Sequence, residues 1–168
     1  MSKQNLKYGA YGAMGLAFAV IFLGLFVFQR GAAGTASFGE DELAIVSPGG
    51  ARHIFKIEIA ETQQQLAQGL MFRDHMDGDR GMLFIYPSLE EATMWMHNTQ
   101  IALDMLFIDG EGKVVSIAAN NRPYDDRQIP SHKPVRAALE INAGKAAELG
   151  LAVGDKIENK RLEKASKP

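Results

Sequence analysis

The feature that most constrains this chain is an uncharged run from Tyr8 to Phe28, about 21 positions long. As an α-helix rising ~1.5 Å per residue it would measure about 31 Å, the thickness of a bilayer's hydrocarbon core. Leu16, Phe18, Val20, Ile21, Phe22, Leu23, Leu25, Phe26, Val27 and Phe28 together fall on all sides of such a helix, so no polar face is left for water. Lys3 and Lys7 precede the run, Arg30 follows it, and Glu40, Asp41 and Glu42 come next. Basic residues ahead of the span favour an N-terminus held in the cytoplasm and the remainder outside. A cleaved signal peptide is the alternative reading, with Lys3–Lys7 as its basic region and Gly34-Thr35-Ala36 as a small-x-small cleavage site. The run exceeds the about 7–15 residues usual for a signal core, which favours a retained anchor. Either way the rest of the chain is expected outside the cytoplasmic membrane, periplasmic if anchored and secreted if cleaved.

Such a domain often relies on disulfides, yet the 168 residues include no cysteine. That excludes disulfides, thiolate metal sites, a cysteine nucleophile and an acylated lipoprotein anchor. The core alone must hold the fold, and the roughly 120 residues beyond the N-terminal segment suffice for one. The formal net charge of −2, with no Lys- or Arg-rich face interleaved with aromatics, argues against nucleic acid as a partner.

Four regions follow: residues 1–30 as anchor or signal, 31–42 as a flexible linker, 43–158 as a β-rich domain, and 159–168 as a charged, disordered tail. Within the domain, His53–Ala60 alternates, with Phe55, Ile57 and Ile59 on one face and Lys56 and Glu58 on the other. Thr62 and Gln65 form a capping box for a short helix. Gly81–Tyr86 reads as a strand stopped by Pro87, and Ala92–Met96 as another. Leu103–Ile108 is apolar throughout, and Asp109-Gly110-Glu111-Gly112 turns it into Lys113–Ala118. Ala119–Pro134 lacks periodicity. Val135–Ile141 alternates, with Val135, Ala137, Leu139 and Ile141 inward and Arg136 and Glu140 opposite. Asn142 is placed to cap a second short helix ending near Gly150, and Val153–Ile157 is a last strand. The expected fold is α+β, mainly β: a compact, small barrel-like domain with two short helices, preceded by one transmembrane or signal helix.

Several ordered motifs are familiar: Gly69-Leu70-Met71-Phe72-Arg73, Gly81-Met82-Leu83-Phe84, Met94-Trp95-Met96-His97-Asn98-Thr99, Leu103 to Asp109, Pro134-Val135-Arg136, Leu139 to Gly144, and Gly154-Asp155. In this series the chain resembles the DUF192 (UPF0127) family over residues 43–158. His97 departs from the resemblance, which implies a basic residue there. The resemblance implies a small β-rich fold, often behind a signal or anchor, and no established reaction.

The densest candidate site is Trp95 to Asp104. Trp95 and His97 share one strand face; Trp95 offers a stacking surface, and Asn98 and Asp104 offer hydrogen bonds to a ligand. The structural alternative is that Asn98 and Asp104 pin the turn to the backbone while Trp95 packs. Glu140, on an otherwise apolar strand, is either solvent-facing, ion-paired with Arg73 or Arg136, or a general base, and with Asp104 it would supply two carboxylates for acid–base hydrolysis. Met94, Met96 and His97, with His75 and Met76, offer soft ligands for copper, against the simpler reading that methionine fills the core. His53 and His132 read as surface residues. Ala119–Pro134 is expected to be a loop over the Trp95 site, with Tyr124, Asp125, Asp126 and Arg127 meeting a ligand. No nucleophile elbow, phosphate loop or zinc-protease motif is present, and no cofactor is called for. The functional expectation is an accessory binding module for a small molecule, glycan or envelope protein, tethered to the membrane by its N-terminal helix. Its ligand would meet Arg73, Trp95, His97, Asn98, Asp104, Tyr124 and Glu140. The alternatives are the Asp104–Glu140 hydrolase and copper handling.

Overall fold

The computed structural model describes residues 36–165; the apolar run Tyr8–Phe28, with its anchor and signal readings, lies outside them. Among the described residues no helix is long and apolar enough to cross a membrane. The strands are β1 (Gly39–Val46), β2 (Arg52–Ala60), β3 (Arg80–Met94), β4 (Leu103–Ile108), β5 (Val114–Asn121), β6 (Ile129–Asn142) and β7 (Lys156–Glu158). The helices are α1 (Gln63–Gln68), α2 (Lys145–Glu148) and α3 (Lys160–Ala165).

All seven strands join one sheet in the order β5-β4-β6-β3-β2-β1-β7. β2 and β3 pair parallel, and the remaining neighbours pair antiparallel. The sheet curls until its two ends touch. Lys113 bridges to Lys156, the Val114 amide donates to the Asp155 carbonyl at 2.8 Å, and the Gly154 amide donates to the Val114 carbonyl at 2.9 Å. The result is a mainly β half-barrel with three short helices.

Two apolar clusters cover the two faces. Leu43, Phe55, Ile57, Leu83, Leu106 and Leu139 belong to one, and Met82, Phe84, Met94, Met105, Phe107 and Ala138 to the other. The alternation of Phe55, Ile57 and Ile59 in β2 is observed, as is the Thr62–Gln65 capping box that starts α1. The Asp109 turn forms as expected: the Asp109 carboxylate accepts the Glu111 and Lys113 amides at 2.8 and 2.9 Å.

Other elements differ from the sequence reading. Pro87 does not end β3, which runs on to Met94. The ladder with β6 shifts register between Ile85 and Glu90, and Pro87 sits in that irregular stretch where no ladder amide is required. The same irregularity turns Val135 to the opposite face from Ala137, so the alternation expected from Val135 to Ile141 holds only from Ala137 onward. The supposed long loop is short: Ala119–Asn121 end β5 and Ile129–Pro134 begin β6, leaving residues 122–128 as the connection. Pro130 and Pro134 are tolerated because that half of β6 pairs with β3 alone, whereas residues 137–142 also pair with β4. Asn142 does not cap α2; its amide donates to the Met76 carbonyl at 2.7 Å. Residues 39–42, read as linker, lie in β1, and residues 160–165, read as tail, form α3 with Leu162 buried.

Candidate functional site

β6 is a central strand, with Met82 of β3 opposite Glu140 on one side and Met105 of β4 on the other. The Glu140 carboxyl is thereby set among thioethers and is only 4% exposed. Among the described residues it has no hydrogen-bond or ion-pair partner. Water is the natural stabiliser of a carboxylate, so this burial pushes its pKa from the ordinary 4.5 up to about 8. At neutral pH the group carries a proton for most of the time. The solvent-facing reading of Glu140 is therefore corrected, and so are its ion pairs. Arg73 instead grips Glu58 with both carboxylate oxygens in reach, at 2.9 and 3.1 Å, and Arg136 donates to the Ala165 carbonyl.

Glu140 borders a cleft of about 100 Å³ that Phe84, Tyr86, Met94, Trp95 and His97 also line. Phe84 and Tyr86 share the Met82 face of β3, so the strand period that buries Met82 also aims these rings at the cleft. Burial, and then the nearby Glu140 and Glu90 charges, hold the Tyr86 phenol above its usual range. The opposite wall is the turn after α1. Gly69 has φ 48° and ψ −134°, a conformation only glycine adopts readily, and a Cβ there would lie 3.0 Å from Phe84 Cζ. Gly81 permits a second close approach, because a Cβ on it would sit 2.7 Å from the Glu140 carbonyl oxygen.

Trp95 stands at the rim, 52% exposed, its ring stacked on His97 with centroids 5.0 Å apart and planes at 28°. His97 Nδ1 bonds Asp126 Oδ1 at 2.7 Å. The 122–128 connection is fastened to the same segment: the Met96 amide donates to the Asp125 carbonyl at 3.0 Å, and the Tyr124 amide to the Thr99 carbonyl at 3.1 Å. The Tyr124 ring itself is exposed and lies outside the cleft. Arg127 holds the Asp125 carboxylate through its Nε and guanidinium nitrogens, keeping that acid down at about 2.

Trp95, His97 and Glu140 thus converge, while the other anticipated residues do not. Arg73 lines a separate depression with Glu58, His75 and Asp77. Asn98 sits at φ 52° in the turn, where its carbonyl accepts the Phe72 amide at 2.9 Å. Asp104 is fully buried, its two oxygens accepting the Asn120 amide at 2.7 Å and the Ala146 amide at 2.9 Å. It serves the backbone, supplying α2 with the cap that Gly144 lacks a side chain to make. The hydrolase reading fails on this geometry: Asp104 lies opposite Ile141 in the β4–β6 ladder and Glu140 opposite Met105, so the two carboxyls project from opposite faces. The copper reading loses Met96 on placement, with Met94 and His97 left together at the Glu140 cleft. Met94 and Met96 are both buried in the core, and they border different clefts, Met94 that of Glu140 and Met96 a larger one of about 390 Å³ beside β5. His75 pairs with Asp77 at 3.0 Å, well away from either methionine's cleft. His53 is half-buried with an unpartnered Nε2, and His132 is exposed. Phe84, Tyr86 and Gly69 were not anticipated; the i, i+2, i+4 series Met82, Phe84, Tyr86 is the signal that points to the first two.

Fold and cleft together define a small half-barrel α+β domain with a buried acid beneath an aromatic rim. The chain belongs to the DUF192 family, described as an uncharacterized ACR, which matches residues 44–159. A solved structure from Sinorhizobium meliloti, described as a candidate transcription regulator, is 38% identical with a TM-score of 0.72, covering 74% of this chain and 97% of its own. One from Novosphingobium aromaticivorans, of unknown function, is 39% identical with a TM-score of 0.69, covering 76% of this chain and 96% of its own. No curated protein matches the chain.

Proposed function

We propose that this domain is a ligand-binding module held outside the cytoplasmic membrane, with the Glu140 cleft as its site. One observation carries the reading: a buried carboxyl without a partner borders a cleft whose rim is an exposed tryptophan. A buried acid is costly to a fold unless something satisfies it, and retaining one under an aromatic rim suits a ligand that does. The length of Tyr8–Phe28 and the preceding Lys3 and Lys7 support the outer location. The ligand is a small molecule, a glycan, or a side chain of an envelope protein. The larger cleft beside β5 offers less, because Asp125 and Arg127 there satisfy each other and Asn121 is spent on the Leu103 and Ala118 carbonyls. The transcription-regulator description of the Sinorhizobium meliloti protein finds little support here, since a net charge of −2 gives no general attraction to nucleic acid.

Trp95 is the chain's single tryptophan, so its emission reports the rim directly. The full-length protein should be titrated with panels of amines, sugars and carboxylates. At least one class is expected to give a saturable change that Glu140→Leu removes. Silence from every class, or a response that survives Glu140→Leu, would overturn the reading.

A further inference from the structure

Among the described residues, unexplained chemistry concentrates at the Glu140 cleft. Its wall is not a generic apolar lining. Phe84, Tyr86 and Trp95 contribute three aromatic side chains around one unpartnered carboxyl. Aromatic faces carry negative charge density and attract cations, most strongly when water is excluded. A carboxylate at the same cavity adds a full opposite charge, and no lysine or arginine borders the cleft to compete for it. The space is right for a small headgroup. At about 30 Å³ per water in the liquid, a cavity of about 100 Å³ holds roughly three waters, or a group of four or five heavy atoms.

Resting on the binding reading above, we propose that the cleft takes a small organic cation, an ammonium or methylammonium group, held between Phe84, Tyr86 and Trp95 with Glu140 as its counter-ion. The cation gives the buried acid the partner it lacks. Glu140, protonated while the cleft is empty, then ionises on binding, and its proton leaves to solvent. Trp95 is free to adjust, being half exposed and held by stacking on His97. The groups that face Glu140 are few. Tyr86 comes from β3, with Glu90 acting on its phenol; His97, tied to Asp126, stands at the rim; β4 contributes Met105 and the turn after α1 contributes Gly69 and Leu70, which are uncharged. Gln68, beside that turn, is neutral, and its side-chain oxygen accepts the Ala36 amide at 2.7 Å. Proton release on binding is therefore assigned to Glu140.

The test titrates the full-length chain with tetramethylammonium and with choline, both of fixed charge, and with 3,3-dimethylbutan-1-ol, the neutral isostere of choline. Trp95 emission and calorimetry are read from pH 6 to pH 9. Choline is expected to bind at least tenfold more tightly than its isostere at pH 8. Its apparent affinity should rise roughly tenfold per pH unit from pH 6 toward pH 8 and then level. Glu140→Gln should remove the pH slope and most of the preference; His97→Asn, which loosens the Trp95 stack and weakens binding of all three compounds, should keep the pH slope. An isostere that binds as tightly as choline would overturn the cation assignment while leaving the cleft a binding site. A slope that follows His97→Asn instead of Glu140→Gln would also overturn it. A chain that responds to none of the three compounds, yet responds to a sugar or carboxylate, sinks the cation alone; silence toward every class sinks the binding reading with it.

Discussion

Asp104 and Glu140 lie on adjacent strands one register step apart, yet their carboxyls project from opposite faces of the sheet. The two acids have separate jobs. Asp104 is spent on the Asn120 and Ala146 amides, whereas Glu140 is spent on nothing among the described residues. Asp104→Ala leaves two amides without an acceptor and is expected to cost about 2–4 kcal/mol in urea unfolding. Its effect on the Trp95 response should be small wherever the variant is folded. A variant of unchanged stability would show that α2 holds itself without the Asp104 cap.

Glu140 sets a pH dependence of stability whose sign is fixed by burial. Its pKa is raised from 4.5 in the unfolded chain to about 8 in the fold, so between these values the native state binds more protons than the unfolded one. The stability associated with the neutral acid is fully present below pH 4.5 and is lost as pH rises through about 8. The span between the two limits is on the order of 5 kcal/mol, at about 1.4 kcal/mol per pKa unit. Glu140→Gln should flatten this decline and melt above the parent protein at pH 9. Melting curves of the two proteins at pH 5, 7 and 9 check it, and parallel declines would place the titrating group elsewhere.

Gly69→Ala should damage wall and fold together. It forces a side chain into a backbone conformation suited to glycine and presses a methyl onto Phe84. The expected cost is about 1–3 kcal/mol, with the Trp95 response weakened more than the melting temperature accounts for. Gly150→Ala makes the useful control. That residue also has a positive φ, 66°, but a Cβ on it meets nothing within 4 Å, so it should lose stability without touching the cleft.

The 122–128 connection reaches the rim through one side-chain pair, Asp126 on His97. Asp126→Ala is expected to shift the Trp95 emission by freeing the ring stacked on it, while melting stays within error of the parent. Unchanged emission would show that stacking alone orients His97.

The proposed location outside the cytoplasmic membrane is open to a direct experiment. Reporters fused after Pro168 should be active only when the reporter works outside the cytoplasm, as the Lys3 and Lys7 flank predicts. Activity of a cytoplasm-dependent reporter would reverse the placement.

Much of the fold was legible because its signals are local. The Phe55-Ile57-Ile59 alternation, the Thr62–Gln65 box and the Asp109 turn each act within a few residues, and each stands in the structure. Pro87 and the stretch Ala119–Pro134 misled for a non-local reason: whether proline stops a strand depends on whether a neighbour needs its amide, and pairing across β3 and β6 decides that. The site was legible in part. Trp95, His97 and Glu140 were singled out by residue type, and the sheet brings them together. Phe84 and Tyr86 escaped notice because Gly81–Tyr86 reads as plain core until β6 is known to lay Glu140 beside Met82. Asp104 misled because a carboxylate bound to backbone amides looks, in sequence, like one waiting for a substrate.

The parallel pairing of β2 with β3 bears on when the cleft comes into being. A hairpin can close as soon as its turn is made, but a parallel pair must wait for the crossover, here residues 61–79 with α1 inside it. That crossover carries Gly69 and Leu70, one wall of the cleft, while Glu140 arrives on a strand far later in the chain. The pocket is therefore assembled from distant pieces, and its completion is expected late in folding. A ligand seated there ties the crossover to β6 and should act as a latch, slowing unfolding far more than it speeds folding.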